Sequence, residues 1–328
     1  MIPEQTIDRL LAHVRPHIQR HVVDQQASSS SQRKPFILAL TGLQGSGKTT
    51  WTSAIVQSLN EKHHFRTINV SLDDFYLPHE GLVHLRQTNP ANALLKMRGQ
   101  PGTHDTALVR EFFDSLTVTP ETSPREVCIP EFDKSRFHGE GDRVPRDEWR
   151  RVPVSLESPV DVLVLEGWCV GFQPLSEQAI EAKWTAAKAH PPASGADSES
   201  EFPTQTLQNH ELASYFTINA SLRNYCDMFM GPQHLDFLVH LDTDDLANVY
   251  RWRMQQEHAL RRVKNQGMTD EEVVAFVKGY MPAYELYLDE VREGIFRGLS
   301  EEEERARKGQ ARVVLGQDRT VLDIVGYS

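Results

Sequence analysis

The stretch Gly42-Leu43-Gln44-Gly45-Ser46-Gly47-Lys48-Thr49 constrains this chain more than any other part of it. It meets GxxxxGK[ST] at every fixed position, a pattern whose backbone N–H groups wrap round phosphate. Glycines let the loop close on an anion, and the helix that follows points its positive end at the same charge. The surroundings suit that mechanism. Phe36-Ile37-Leu38-Ala39-Leu40, just before the loop, suits a strand buried on both faces of a parallel sheet. Trp51, Ala54, Ile55 and Leu59 then recur on one side of a helix from about Lys48 to Leu59. The loop residues Gly42, Gln44, Gly45, Ser46, Gly47, Lys48, Thr49 and Thr50 are therefore expected to hold a nucleotide. Lys48 would reach its β- and γ-phosphates and Thr49 would ligate Mg²⁺.

Further strand-like runs lie at Arg66 to Leu72, Val160 to Leu165, Phe237 to Leu241 and, more weakly, Val313 to Leu315. Helical patterns separate them, which predicts an α/β chain with a mostly parallel sheet flanked by helices. Ile7, Leu10, Leu11 and Val14 predict an N-terminal amphipathic helix within residues 1–24, ended or kinked at Pro16. His13, His17 and His21 on that helix read as a solvated face, since no acidic or cysteine partner sits beside them. Residues 25–34, with serine at 28–31, read as a linker, and 35–328 as the nucleotide-binding domain. Within it, residues 186–205 read as a surface insertion or mobile loop, and Glu301 to Glu304 as a solvated acidic helix face.

The net charge of −11 argues against a general nucleic-acid binder and against docking on an anionic membrane. The three cysteines, Cys128, Cys169 and Cys226, form no CxxC pair, which fits a reducing compartment and no structural zinc. No apolar run is long enough to span a bilayer, and a cytoplasmic location is the default expectation. A small soluble molecule is the expected partner, with oligomeric state left open.

A phosphate loop alone does not separate a kinase from an ATPase or a GTPase. Phosphoryl transfer to an alcohol also needs a carboxylate at the acceptor hydroxyl, and a second one helps to place Mg²⁺. The second strand runs into Ser71-Leu72-Asp73-Asp74-Phe75-Tyr76 and the third into Leu165-Glu166-Gly167-Trp168. Both stretches reach the C-terminal edge of a parallel sheet, where ligands bind. The competing reading for Asp73 and Asp74 is a turn or helix cap. The guanine-reading NKxD stretch is absent, which speaks against a GTPase.

In sequence order, GLQGSGKTT (Gly42 to Thr50), SLDDFYLP (Ser71 to Pro78), RGQPGTHD (Arg98 to Asp105), PEFDKSRFHGEGDR (Pro130 to Arg143), LEGWCVGF (Leu165 to Phe172) and YRWRMQQEHALR (Tyr250 to Arg261) resemble one family. It is the P-loop kinases of small metabolites, which include uridine kinase, phosphoribulokinase and pantothenate kinase. Within it the chain is most similar to plant-type D-glycerate 3-kinases and their fungal ATP-binding relatives. The resemblance implies a lid helix over the nucleotide, here the region 244–266. It implies that Asp73 is the catalytic base and, with Glu166 and Thr49, lies at the Mg²⁺. Asp74 and Tyr76 adjoin the base on the acceptor side. A glycerate acceptor carries a carboxylate, for which Arg98, Lys134, Arg136 and Arg143 are candidates, and His104 is a candidate for its hydroxyls. In the lid, Arg251 and Arg253 are singled out to neutralise charge on the transferring group, ahead of Arg261, Arg262 and Lys264. The implied activity is transfer of the γ-phosphoryl group of ATP to D-glycerate. The alternatives are another acceptor, such as pantothenate, a nucleoside or a sugar phosphate, or a non-catalytic ATP-binding protein.

Overall fold

The computed structural model describes residues 2–27, 32–191, 201–264, 267–299 and 308–327. Its regular elements begin with α1 (Glu4–Ala27), β1 (Phe36–Gly42), α2 (Lys48–Glu61), β2 (Thr67–Ser71), α3 (His79–Thr88) and α4 (Thr106–Leu116). Next come the short strands β3 (Arg125–Ile129), β4 (Phe132–Asp133), β5 (Asp142–Arg143) and β6 (Arg150–Val154). β7 (Val162–Gly167), α5 (Glu177–Ala189), α6 (Leu212–Tyr225), β8 (Phe237–Asp242) and α7 (Ala247–Lys264) follow. α8 (Asp270–Lys278), α9 (Met281–Glu293), β9 (Gly309–Leu315) and β10 (Val321–Tyr327) complete the chain.

The central sheet has the order β10-β9-β8-β1-β7-β2. β9, β8, β1, β7 and β2 run parallel, and β10 turns back antiparallel on the edge. Every residue of β1, β7 and β8 is buried, as continuous apolar strands covered by helices on both faces require. The C-terminal ends of β1, β7 and β2 lie side by side: Glu166 pairs in register with Leu40 on one side and Ser71 on the other. That alignment gathers the phosphate loop, Glu166 and the residues after Ser71 on one edge. Two small antiparallel ladders, β3 with β6 and β4 with β5, stand apart from the sheet between β2 and β7 in sequence.

The sheet thus holds one strand more than expected. Only Ile324 of β10 is fully buried, so its sequence carries little apolar signal. β9 also starts earlier than its apolar run. Gln310 is buried there because its amide donates to the Val291 carbonyl and accepts from the Ile295 N–H.

Helix α1 runs straight past the expected break at Pro16 to Ala27. Pro16 and Ala12, whose carbonyl loses its intrahelical donor, both lie on the exposed face, where water can satisfy that oxygen. Leu10, Leu11, Val14 and Ile18 are fully buried on the other face and hold the helix in place. Two of the three histidines are not solvated as expected. His17 packs edge-on against Phe237, and His21 packs against Phe36 and contacts the Lys34 carbonyl at 3.0 Å. Because α1 continues to Ala27, the expected linker shrinks; residues 28–31 lie outside the described residues.

The stretch expected to be a loose insertion is partly built into the fold. Residues 186–189 are the last of α5, and 192–200 lie outside the described residues. Phe202 is buried and stacks flat on Tyr250, with ring centres 4.9 Å apart. Just past the stretch, Thr206 donates through both its N–H and its hydroxyl to Glu285 at 2.6 Å. A single aromatic among polar residues has no periodicity to read, which is why the sequence concealed this docking. The acidic run Glu301 to Glu304 lies outside the described residues.

Candidate active site

The phosphate loop joins β1 to α2 as its pattern requires. Gly45 and Gly47 take left-handed backbone angles, φ 81° and 89°, which side chains resist. A Cβ on Gly45 would lie 2.7 Å from the Trp252 Cβ, so the loop packs directly against α7. The Gln44 N–H donates to the Tyr284 hydroxyl at 3.0 Å. Lys48 donates to the Gly42 and Leu43 carbonyls at 3.0 and 3.3 Å, curled over its own loop. Burial lowers its pKa, and the nearby carboxylates Glu166 and Asp73 act against that shift. Ser46 is buried with an unpartnered hydroxyl, while Thr49 and Thr50 are exposed on the first turn of α2.

Beyond Ser71 the chain forms a short 3₁₀ turn, Leu72–Phe75, closed by a capping box. The Ser71 hydroxyl accepts from Asp73 N–H, and Asp74 accepts from the Ser71 N–H at 3.1 Å. The two aspartates therefore diverge. Asp74 folds back onto the Ser71 N–H as a cap, which is the competing reading of the sequence. Burial, with the repulsion of Asp73 adding to it, raises its pKa to about 6 despite the backbone bond from Ser71. Asp73 accepts from the Tyr76 hydroxyl at 2.9 Å and pairs with Lys134. Burial alone would raise the Asp73 carboxyl, but Lys134 and Tyr76 together hold it below the ordinary aspartate range. Glu166, on β7 between the two, is buried, and its Oε2 has no partner.

His104 is placed by aromatic groups. Tyr76 stacks on it with ring centres 4.5 Å apart. The Tyr225 hydroxyl accepts from the N–H groups of Gly102 and His104, at 2.7 and 3.1 Å, and lies 2.9 Å from His104 Nδ1. Already an acceptor twice, that hydroxyl donates to Nδ1, which places the ring proton on Nε2. Nε2 is buried and unpartnered, and burial lowers the ring's pKa to about 4. His104 is thus a neutral donor whose proton has no acceptor among the described residues.

The cations expected at an acceptor carboxylate separate clearly. Lys134, on the β4–β5 hairpin, stands at Asp73. Arg136 pairs with Asp133 at 3.3 Å and is half-buried. Arg143 is held by the Tyr76 carbonyl and Asp105, at 2.9 and 3.0 Å. Arg98 donates to the Gly139 and Glu140 carbonyls and lies over the rings of Tyr76 and Phe132. Arg98 and Arg143 therefore hold the hairpin and the Tyr76 backbone. Beside Arg98 opens a cavity of about 730 Å³, walled by Leu94, Met97, Met268, Phe276 and Tyr280 among others.

No protein-family model matches the chain. It is 38% identical over 78% of its length to an uncharacterized kinase, mug58, of Schizosaccharomyces pombe, covering 82% of that protein. It is 34% identical over 77% of its length to the chloroplastic D-glycerate 3-kinase of Arabidopsis thaliana, covering 48% of it. Among solved structures, the D-glycerate 3-kinase of Cryptococcus neoformans superposes with a TM-score of 0.76 at 29% identity, over 98% of this chain and 99% of that one. The chain belongs to the glycerate kinase family of P-loop kinases. A kinase of this family is a phosphotransferase that uses ATP, and its acceptor is a small molecule.

In this glycerate-kinase-family chain the two lid arginines part company, being two residues apart on one helix. Arg251 bonds Asp245 and Asn248 at 3.0 Å, pairs with Glu201 and lies over Phe202. None of these partners belongs to the phosphate loop. Arg253 follows Trp252, the residue against Gly45, pairs with Glu257 and lies over Phe276 at 5.0 Å. Arg261 pairs with Asp270 on α8. Sequence reasoning missed Tyr225, Tyr284 and Arg319, which reach the site from far along the chain and carry no local motif. Among the described residues no group of acidic, histidine or cysteine side chains is built to hold a metal unaided, and no helix is long and apolar enough to cross a membrane.

Proposed function

We propose that this kinase transfers the γ-phosphoryl group of ATP to the primary hydroxyl of D-glycerate. The observation that carries the reading is the half-buried Asp73, held ionised by Lys134 at the sheet edge that also bears the phosphate loop. Asp73 accepts the hydroxyl proton as the new O–P bond forms and the bond to ADP breaks. Lys134, the cation nearest the base, attracts the acceptor carboxylate to the same spot. The Nε2–H of His104 donates to an acceptor oxygen. Lys48 leaves its loop carbonyls for the phosphate oxygens, and Arg253 stabilises their charge from the lid.

The residues present fit Mg²⁺. Glu166 Oε2 and the Ser46 hydroxyl are buried polar atoms without partners among the described residues, and Thr49 is exposed on the first turn of α2, just after the phosphate loop. A magnesium ion commonly takes one or two protein oxygens and completes its shell with phosphate and water. Thr49 and Glu166 would hold it, and when bound it supplies charge neutralisation on the phosphate oxygens. Asp73, already engaged by Lys134 and Tyr76, is reserved for the proton.

A second reading rests on the cavity beside Arg98. Its walls include neither Asp73, Lys134, His104 nor the phosphate loop, but Arg98 joins it to Tyr76, and at about 730 Å³ it has room for the tail of a bulkier, partly apolar acceptor. The test is acceptor-dependent ADP release from Mg-ATP with D-glycerate beside pantothenate, uridine and sugar phosphates. Turnover with D-glycerate alone supports the first reading. Turnover only with a bulkier member replaces it by the second.

A further inference from the structure

We propose that Arg319 is a positioning residue that couples the phosphate loop to the lid helix α7. The proposal rests on the kinase reading above only in that the loop binds ATP. Arg319 sits in the tight turn between β9 and β10, remote in sequence from both elements it joins. Its Nε donates to the Gly45 carbonyl at 2.7 Å, one NH₂ group to the Trp252 carbonyl at 2.7 Å and the other to Gln255 at 2.8 Å. A planar guanidinium is the side chain that can reach three acceptors on two elements at once. The contact is reciprocated: the Trp252 indole donates to the Gln317 carbonyl in the same turn at 2.8 Å.

Arg319 pays for this position with a left-handed backbone, φ 64°, which a side chain with a Cβ adopts only where its surroundings hold it. The turn is held in several ways. Gly316 N–H donates to the Thr320 carbonyl, Arg319 N–H to the Gly316 carbonyl, and Asp318 accepts from the Thr320 N–H and hydroxyl. A rigid turn on the outer hairpin thus fixes Gly45 against Trp252, with Arg253 the next residue. Any closure of α7 over the phosphates must carry the loop and the turn with it, so nucleotide binding and the placing of Arg253 become one event.

The test uses the full chain and ATP itself. In Arg319→Ala, affinity for ATP, measured by equilibrium binding without acceptor, is expected to fall about tenfold, the scale of lost bonds to a charged group. The KM for the acceptor should stay within about twofold, and added guanidinium, but not ammonium, should restore part of the loss. Unchanged ATP affinity, or equal loss of ATP and acceptor binding without guanidinium rescue, overturns the proposal. Should that variant not fold, hydrogen exchange on the natural protein decides. ATP should slow exchange together in the loop, at Trp252 to Gln255 and in the 316–320 turn; protection of the loop alone overturns the coupling. ATP binding and hydrogen exchange need no acceptor, so failure to find a phosphorylated product would count against D-glycerate and leave those two readouts standing.

Discussion

Asp74→Asn should make the protein more stable at neutral pH and leave phosphoryl transfer in place. In the folded protein its carboxyl titrates at about 6, raised from 3.8 by burial and by Asp73 beside it. A carboxyl raised on folding stabilises below its unfolded pKa, and that contribution is lost as pH rises through the folded one. Stability from this group therefore falls between pH 3.8 and about 6. A shift of this size corresponds to about 3 kcal/mol at most for holding Asp74 ionised at pH 8. Asparagine removes the charge and keeps an oxygen for the Ser71 N–H. That shift already includes the Ser71 hydrogen bond to the charged form. The net gain is about 2–3 kcal/mol at pH 8, a rise in Tm of roughly 3–5 °C, shrinking toward zero near pH 4. Calorimetry of both proteins across that range measures it. A variant less stable by the same amount at pH 8 and at pH 4 would refute the reasoning, because an ionised cap would then be what holds the turn.

Glu166→Gln should raise the Mg²⁺ concentration needed for half-maximal turnover by about 10–100-fold, and an unchanged Mg²⁺ titration would remove Glu166 from the metal. Arg251→Ala should keep kcat within about threefold, since its partners are half-exposed ion pairs away from the loop. Arg253→Ala should lower kcat by about 10–100-fold, and the reverse order would restore Arg251 to the phosphates. His104 stays neutral down to about pH 4, so kcat/KM should show no histidine inflection between pH 5 and 8. An inflection near pH 6.5 that disappears in His104→Gln would show the ring titrating in the reaction.

The features read most surely from sequence were those governed by local rules. The phosphate loop fixes its own backbone through Gly45 and Gly47, and β1, β7 and β8 are apolar along their whole length. Their parallel order brings Asp73 and Glu166 to the same edge, as strand-end carboxylates in such a sheet should be. What escaped was set by tertiary contact. No pattern distinguishes Asp73 from Asp74; the capping box does, by folding Asp74 back onto the Ser71 N–H. Arg251 and Arg253 look alike in sequence, and helical geometry with their different neighbours separates them. α1 survives Pro16 because its buried stripe outweighs one hydrogen bond lost on the wet side. Arg319 and Tyr225 act through single side chains that reach across the fold.

The most direct test of the central claim is transfer of labelled γ-phosphate from ATP to D-glycerate by the natural protein and by Asp73→Asn, with ATP affinity measured for both. Labelled phosphoglycerate is expected from the natural protein, with a loss of about 10²–10⁴-fold in the variant and ATP binding unchanged. Equal transfer by the two proteins would contradict the assignment of Asp73 as the base. Absence of labelled phosphoglycerate from the natural protein, with ATP bound, would contradict D-glycerate as the acceptor.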